Sequence, residues 1–378
     1  MLAMRMLLGA LALAASVLHT ATRAGQVETL YTSPAHRTIA AFAQDGGLVA
    51  WFAPSKRGCN EVWLWQIGSA KQQLPAEGEG YHNVTCGWQV PAGSPVSLAV
   101  ATNSGHAALL WTLHESAAQA LRFDYVLGAT VADRRERRFQ EVAHASHGAG
   151  LWLGGVAGSG GTLVYAVAEV AYKDQVACLS APNEPGACEL KVAGGGIYRI
   201  VGRKPPMPIK GARAAVAVAA TNKDVAYVPA VGTSTVDGRP LASRNVPVEV
   251  RDIDTGSLVA SVSPEAPPIA IGLSSTVLGV LGQSGGRLVL GWYAVATGKL
   301  IGTLRLPIGA SPTLSVSDSA IVFRVGRSIR VVDVHSKRVR TVAKAAGTPI
   351  GLSIAGNRVA WAENVAGRGR IRAITLAP

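Results

Sequence analysis

Charged and aromatic residues are scarce in this chain, and so are helical patterns. Of its 378 residues, 16% are charged and 6% are aromatic. Almost no long amphipathic helical pattern follows the first two dozen residues, which argues against a helical fold. The chain contains instead 43 glycines, 20 prolines and 48% hydrophobic residues. Short runs rich in Val and Ala, separated by Gly or Pro turns, predict an all-β fold.

Acidic residues are the scarcer sign of charge. The chain has 23 Asp and Glu against 36 Lys and Arg, a formal net charge of +13. The excess looks thinly spread, without the basic and aromatic patch typical of nucleic-acid-binding proteins, so no nucleic acid is expected. The densest cluster, DRRERR at 133–138, is interpreted as an edge strand or loop that resists edge pairing. Weak attraction to anionic polymers of the cell envelope stays open.

A hydrophobic run long enough to cross a bilayer is absent. The apolar stretch from Met6 to Leu18 follows Arg5 and precedes small residues at Thr22 and Ala24. A transmembrane helix needs about 20 apolar residues, so residues 1–24 are predicted to be a secretory signal peptide. We expect a secreted or periplasmic protein with no transmembrane segment, in which residues 25–378 form one domain.

Only four cysteines are present, and none forms the C-x-x-C pair typical of zinc sites. An exported protein meets oxidising conditions that favour disulfides. Three pairings are compatible with the sequence. The spacing favours the two local pairs, Cys59 with Cys86 and Cys178 with Cys188.

One short apolar run recurs along the chain. It reads LVAWFA at 48–53, DVAYVP at 224–229 and RVAWAE at 358–363. Each copy follows an innermost strand of small residues and a polar turn, and precedes two further strands joined by a tight turn. Units of four strands that repeat every 40 to 50 residues or so indicate a β-propeller, in which each unit is one blade.

Seven units fit this repeat, although six or eight stay open because the second and third are irregular. The units span 36–76, 88–142, 147–210, 211–264, 266–308, 310–346 and 347–378. The last contains only three strands, whereas the segment QVETLYTSP at 26–34 has no partner of its own. We predict that this segment supplies the outer strand of the last unit and closes a seven-bladed ring.

These repeats resemble those of bacterial secreted or periplasmic β-propellers, the TolB-like and WD40-like group, over nearly the whole chain after residue 24. The resemblance implies the architecture and leaves the activity open, because propellers host many unrelated functions.

A narrower similarity links VRDIDTGSLVASV and YAVATGKLIGTL to the D-x-x-T-G core of quinoprotein blade repeats. Those repeats carry a Trp a few residues after the Thr-Gly. Here the corresponding residues are Val259 and Ala260, or Ile301 and Gly302. We therefore interpret the motif as a hairpin turn built by Asp252, Asp254, Thr255 and Gly256.

Catalytic propellers similar to lactonases hold calcium in the central channel with acidic residues of the innermost strands. Calcium prefers several charged oxygen ligands, and the predicted innermost strands contain no acid. Polar residues recur instead at the turn between the first and second strands, where turn formation is the expected role: Asn103, Asn222, Asp318 and Asn357. No metal or cofactor is expected.

Hydrolytic motifs are incomplete. Ser159 lacks the full G-x-S-x-G spacing and the strand-to-helix elbow that this motif requires. His144 and His147 form an H-x-x-H pattern that a polar loop explains. No catalytic residue is expected, and a lactonase-like hydrolase or lyase with its active site on the loops stays the alternative.

Two long insertions are the expected recognition site. Residues 172–196 in the third unit and 229–245 in the fourth both separate the second strand from the third, so the two insertions emerge on one face. The candidate ligand-binding residues are Tyr172, Lys173, Asp174, Asn183, Glu184, Asp237, Arg239 and Arg244. We expect a binding or scaffold module for a protein, peptide or glycan.

Overall fold

The computed structural model describes residues 25–54, 60–67, 96–103, 106–117, 121–130, 137–141, 145–146, 149–200, 206–234, 239–243 and 245–377. These residues form thirty β-strands and one short helix, which confirms the all-β fold. No helix within the described part of the chain is long and apolar enough to cross a membrane. The predicted signal peptide, Cys59 and Cys86 lie outside the described residues.

Most strands belong to antiparallel sheets in which consecutive strands pair. Strand β1 spans Glu28–Thr32. Sheet one contains β2 (Ala41–Asp45), β3 (Leu48–Pro54) and β4 (Asn60–Gln66). Sheet two contains β5 (Val96–Asn103), β6 (His106–Ala117), β7 (Leu121–Thr130), β8 (Arg137–Glu141) and β9 (Ala145–Ser146). Sheet three contains β10 (Gly150–Ser159), β11 (Thr162–Tyr172), β12 (Leu190–Ile200) and β13 (Met207–Pro208), with helix α1 (Gln175–Ser180) between β11 and β12.

The later sheets are more regular. Sheet four contains β14 (Ala215–Ala220), β15 (Asp224–Pro229), β18 (Val248–Asp252) and β19 (Leu258–Val262), and a separate hairpin, β16 (Gly232–Thr233) and β17 (Pro240–Leu241), is inserted after β15. Sheet five contains β20 (Pro268–Leu273), β21 (Val277–Ser284), β22 (Arg287–Ala294) and β23 (Leu300–Arg305). Sheet six contains β24 (Ala310–Val316), β25 (Ala320–Val325), β26 (Ser328–Asp333) and β27 (Val339–Lys344). Sheet seven contains β28 (Ile350–Ala355), β29 (Arg358–Val365) and β30 (Arg368–Thr375), together with β1.

The recurring apolar run forms the second strand of its sheet. All six residues of β15 are buried, as are the first six of β3. A strand covered on both faces needs apolar residues at every position rather than at alternate ones. The large residues near the ends of these runs are at most 1% exposed: Trp51, Tyr165, Tyr227, Phe323 and Trp361.

The hydrophobic core lies between the sheets. One cluster of buried side chains joins sheets three and four through Ile197 and Tyr227, and another joins sheets six and seven through Val331 and Trp361. The first strands also contact one another in sequence order from β2 to β28, and β28 contacts β2. Each sheet therefore buries its faces against its neighbours.

The N-terminal strand pairs with the C-terminal one. Strand β1 is antiparallel to β30, with Glu28 opposite Ala373 and Tyr31 opposite Ile371. Just beyond β1, the Ser33 amide donates to the Gly369 carbonyl at 2.8 Å. Strand β1, within the segment at 26–34, is thus the outer strand of sheet seven.

The D-x-x-T-G segment is a hairpin turn, as predicted. The Asp252 carboxylate accepts hydrogen bonds from the Asp254 amide at 3.1 Å and the Thr255 amide at 2.8 Å. Gly256 follows with φ of 74°. At the equivalent turn in sheet six, the Asp333 carboxylate accepts hydrogen bonds from the His335 and Ser336 amides. There a lysine, Lys337, occupies the left-handed position that Gly256 has in sheet four, with φ of 58°.

This difference predicts opposite effects of two substitutions. Gly256→Ala should lower the free energy of unfolding by more than about 1 kcal/mol, because a Cβ there would lie 2.4 Å from the Lys210 carbonyl oxygen. Lys337→Gly should raise it by about 0.5 to 1 kcal/mol, because glycine relieves the left-handed strain. Urea unfolding of both variants checks this, and a stabilised Gly256→Ala would contradict it.

Candidate functional site

The two long insertions both lie between the second and third strands of their sheets, as predicted. Residues 173–189, here the helical loop, join β11 to β12 in sheet three. Residues 230–247, here the hairpin loop, join β15 to β18 in sheet four. Sheets three and four are neighbours, so the two loops project from adjacent sheets of the scaffold.

The helical loop is held at three points. Helix α1 is capped by Asp174, whose carboxylate accepts from the Ala177 amide at 2.9 Å. The disulfide between Cys178 and Cys188 confirms the predicted pairing, with the Cα atoms 4.5 Å apart. At the base, the Lys173 amide donates to the Glu189 carbonyl at 2.7 Å, and the two side chains form an ion pair. A helix this short is marginal alone, so these contacts fix its orientation.

The hairpin loop is hydrogen-bonded to the first residue of β12, next to the end of the helical loop. Within it, the Val231 amide donates to the Leu241 carbonyl at 2.9 Å and the Ser234 amide to the Arg239 carbonyl at 2.8 Å. The Thr233 hydroxyl donates across to the Leu190 carbonyl at 3.0 Å, at the start of β12. The hairpin loop therefore meets the scaffold where the helical loop ends, and the two loops border one surface region.

This surface exposes aliphatic side chains. Val176 and Leu179 of α1 are 73% and 74% exposed, and they lie three residues apart on one side of the helix. Val231 and Leu241 of the hairpin loop are 45% and 39% exposed. We call these four residues the loop platform. Exposed aliphatic side chains on two neighbouring loops mark a candidate binding surface.

The predicted polar candidates lie in the same loops, but several have structural roles. Lys173 pairs with Glu189, and Asp174 caps α1. Tyr172 ends β11 and is half-buried. Asn183 and Glu184 are exposed within the segment that the disulfide closes, and Arg239 precedes β17.

Asp237 and Arg244 lie outside the described residues. The candidates predicted from the sequence are all polar or aromatic, and the exposed aliphatic side chains are not among them. The sequence signal that could have identified them is the spacing of three between Val176 and Leu179 in QVACLS, which places both on one side of a helix.

A central cavity of about 790 Å³ lies where the first strands of all seven sheets converge. Its wall is mainly Ala, Val, Leu, Ile, Gly and Ser, and its carboxylates are Asp45 at the end of β2 and Asp318 in the turn after β24. The Asp45 carboxylate accepts from the Gly160 amide at 3.0 Å. His144 and His147 lie outside the described residues, and no group of three or more His, Cys, Asp or Glu side chains is close enough to bind a metal within the described ones.

Asp318 links sheet six to sheet five. Its carboxylate accepts from the Ser275 hydroxyl at 2.9 and 2.8 Å, from the Thr276 amide at 3.0 Å and from the Thr276 hydroxyl at 2.8 Å. Partial burial alone would raise the pKa of this carboxyl, but the hydrogen bonds from Ser274, Ser275 and Thr276 outweigh burial and hold the pKa below its usual value. Asp318 was expected to form its own turn. Its carboxylate instead accepts hydrogen bonds from the turn of the neighbouring sheet.

Asp318→Ala should lower the free energy of unfolding by about 1 kcal/mol at pH 7, since the turn loses its acceptor. A carboxylate with a lowered folded pKa stabilises above about pH 4, and this contribution is lost as the pH falls through the folded pKa. The difference between wild type and variant should therefore shrink towards pH 3 in urea titrations. If wild type and variant differ in free energy of unfolding by the same amount at both pH values, the charge of Asp318 contributes nothing to stability. Asp318→Asn, which keeps one acceptor oxygen, should lose less at pH 7.

No protein-family model and no curated protein sequence matches this chain. Among solved structures, it is similar to the β-propeller domain of the Trilobed protease from Pyrococcus furiosus, with 9% identity over 89% of this chain and 95% of that one, and a TM-score of 0.45. It is similar to BamB from Moraxella catarrhalis, with 10% identity over 92% and 97% of the two chains and a TM-score of 0.40.

TolB from Acinetobacter baumannii gives 13% identity over 71% of this chain and 55% of that one, with a TM-score of 0.37. Similarities this low carry no argument about function. The strand pairing given above establishes the all-β fold without these similarities.

Proposed function

We propose that residues 25–378 form an exported, non-catalytic, seven-bladed β-propeller that binds a protein or peptide through the loop platform. The contacts of the first strands from β2 to β28 and back to β2 support a ring of seven blades. The pairing of β1 with β30 supports closure by the N-terminal strand. The disulfide in the helical loop supports an oxidising, extracytoplasmic location.

The observation that carries the binding role is the exposure of Val176 and Leu179 on a helix that is fixed in place. A cap, a disulfide and an ion pair hold α1 although its aliphatic side chains face solvent. A preorganised loop loses little conformational entropy when a ligand binds. An aliphatic surface of this kind fits apolar side chains of a peptide segment, and a glycan stays the alternative ligand.

The hydrolase or lyase alternative needs polar groups that are available to a substrate or to calcium. The two carboxylates that line the central cavity among the described residues accept hydrogen bonds from neighbouring turns. Asp45 accepts from Gly160, and Asp318 accepts from Ser275 and Thr276. Both have a structural role without a ligand. The binding role therefore has the stronger support.

Peptides selected from a random displayed library on the wild-type protein provide a test. Val176→Ser with Leu179→Ser should weaken their binding at least about tenfold, because each buried aliphatic side chain contributes about 1.5 to 3 kcal/mol. The matched control is Leu258→Ser with Leu300→Ser, two side chains on edge strands that are each 52% exposed. The control should bind normally.

Peptides that bind both double variants as they bind wild type would exclude the loop platform. Equal losses in the two variants would do the same. A glycan array probed with the same three proteins tests the alternative ligand. If wild type binds a glycan and the loop-platform variant does not, the ligand is a glycan and not a peptide.

A further inference from the structure

The positive charge of the chain is concentrated in sheets six and seven. Residues 310–378 contain eleven Lys or Arg against three Asp or Glu, a net charge of +8 out of +13 for the whole chain. Sheet six alone, residues 310–345, has seven Lys or Arg against two Asp. The thin spread expected from the composition is therefore wrong for this part of the molecule.

Several of these arginines face the interface between the two sheets. In sheet six, Arg324 follows Val322 by two residues and Arg340 lies opposite Val331, and both valines pack in the cluster that joins sheets six and seven. Side chains two apart or directly opposite share one face of a sheet. These two arginines therefore point towards sheet seven.

Sheet seven also carries arginines on the side that faces sheet six. Arg370 lies opposite Glu363, and Arg372 lies opposite Trp361, which packs in the same cluster. The facing sides of sheets six and seven thus carry Arg324, Arg340, Arg370 and Arg372, and we call this arginine-bearing seam between the two sheets the arginine groove. Arg340 is exposed, and the other three are half-buried.

The single carboxylate in the groove is already satisfied. Glu363 is fully buried, and it accepts from Arg372 at 3.2 Å, from the Ala346 amide at 2.8 Å and from the Gly347 amide at 3.3 Å. Among the described residues, Arg324, Arg340 and Arg370 form no ion pair. Burial also lowers the pKa of Arg324. Three arginines thus face one interface without a carboxylate partner among the described residues, and unpaired like charges of this kind favour the binding of an anion.

Protection of a sheet edge does not explain this cluster. Basic residues often keep edge strands from pairing with other chains. Edge strand β19 of sheet four, however, has no charged residue at all. Arg324, Arg370 and Arg372 also lie on β25 and β30, which are not edge strands.

We infer that the arginine groove binds the phosphate groups of a soluble anionic polymer. The guanidinium fork matches phosphate oxygens in pairs, and several such forks in one groove suit a chain of repeated phosphates. A membrane surface fits less well, because an interfacial site needs apolar anchors. Within the described residues 310–377, Val339 is the one large apolar side chain that is exposed.

Long-chain inorganic polyphosphate is the probe, at about 150 mM salt to screen long-range attraction. Arg324→Gln with Arg340→Gln and Arg370→Gln should weaken its binding at least about tenfold. Arg372 is kept because it neutralises the buried Glu363. The control removes the same charge from sheet five, Arg287→Gln with Lys299→Gln and Arg305→Gln, three exposed residues, and should change binding less than about threefold.

Two further variants sharpen the test. Replacing the same three arginines by lysine keeps the charge and the fold but removes the fork, and binding should fall to an intermediate level. The loop-platform variant, Val176→Ser with Leu179→Ser, should bind polyphosphate as wild type does, so a failure of one proposal is distinguishable from a failure of the other.

Three results would overturn the inference. Equal losses in the groove variant and the sheet-five control would show general charge attraction only. Polyglutamate bound as tightly as polyphosphate would show that phosphate is not recognised. Phosphatidylglycerol vesicles bound more tightly than polyphosphate, and released by the groove variant, would assign the groove to a membrane surface.

Discussion

Packing of each second strand between two neighbouring sheets is the interaction on which the rest of this structure depends. Trp51, Tyr227, Phe323 and Trp361 are all but inaccessible to solvent in these positions. Truncating one such side chain costs about 3 to 5 kcal/mol, more than a surface ion pair or a turn contributes. No sheet can bury these residues alone, so the sheets stabilise one another.

This constraint leaves the turns and loops free to vary. Asp252 and Asp333 build the same turn, although Gly256 and Lys337 follow them at equivalent places. Asp318 ties one sheet to the next without entering the core. On such a scaffold an insertion does not disturb the core, and the helical loop and hairpin loop extend from adjacent sheets. The arginine groove uses the outer rim of one interface in the same way.

Much of the fold could be predicted from the sequence because burial on both faces leaves a local pattern. The DVAYVP run indicates a covered strand without reference to distant residues. The short separation of ten positions between Cys178 and Cys188 likewise suggests their disulfide. The candidate site was predictable only to the level of the loops. The exposure of Leu179 depends on how α1 is held, and the placing of Arg324 and Arg370 at one interface depends on how two sheets pack. Neither is local information.

The most direct test of the account is amide hydrogen exchange of β1 and β30 in the protein lacking residues 1–24. A ring closed by the N-terminal strand predicts that the amides of Glu28 and Tyr31 are protected together with those of their partners Ala373 and Ile371, at the level of the other sheets. Exchange of β1 at the rate of an unfolded chain, with sheets three to six still protected, would contradict closure by this strand.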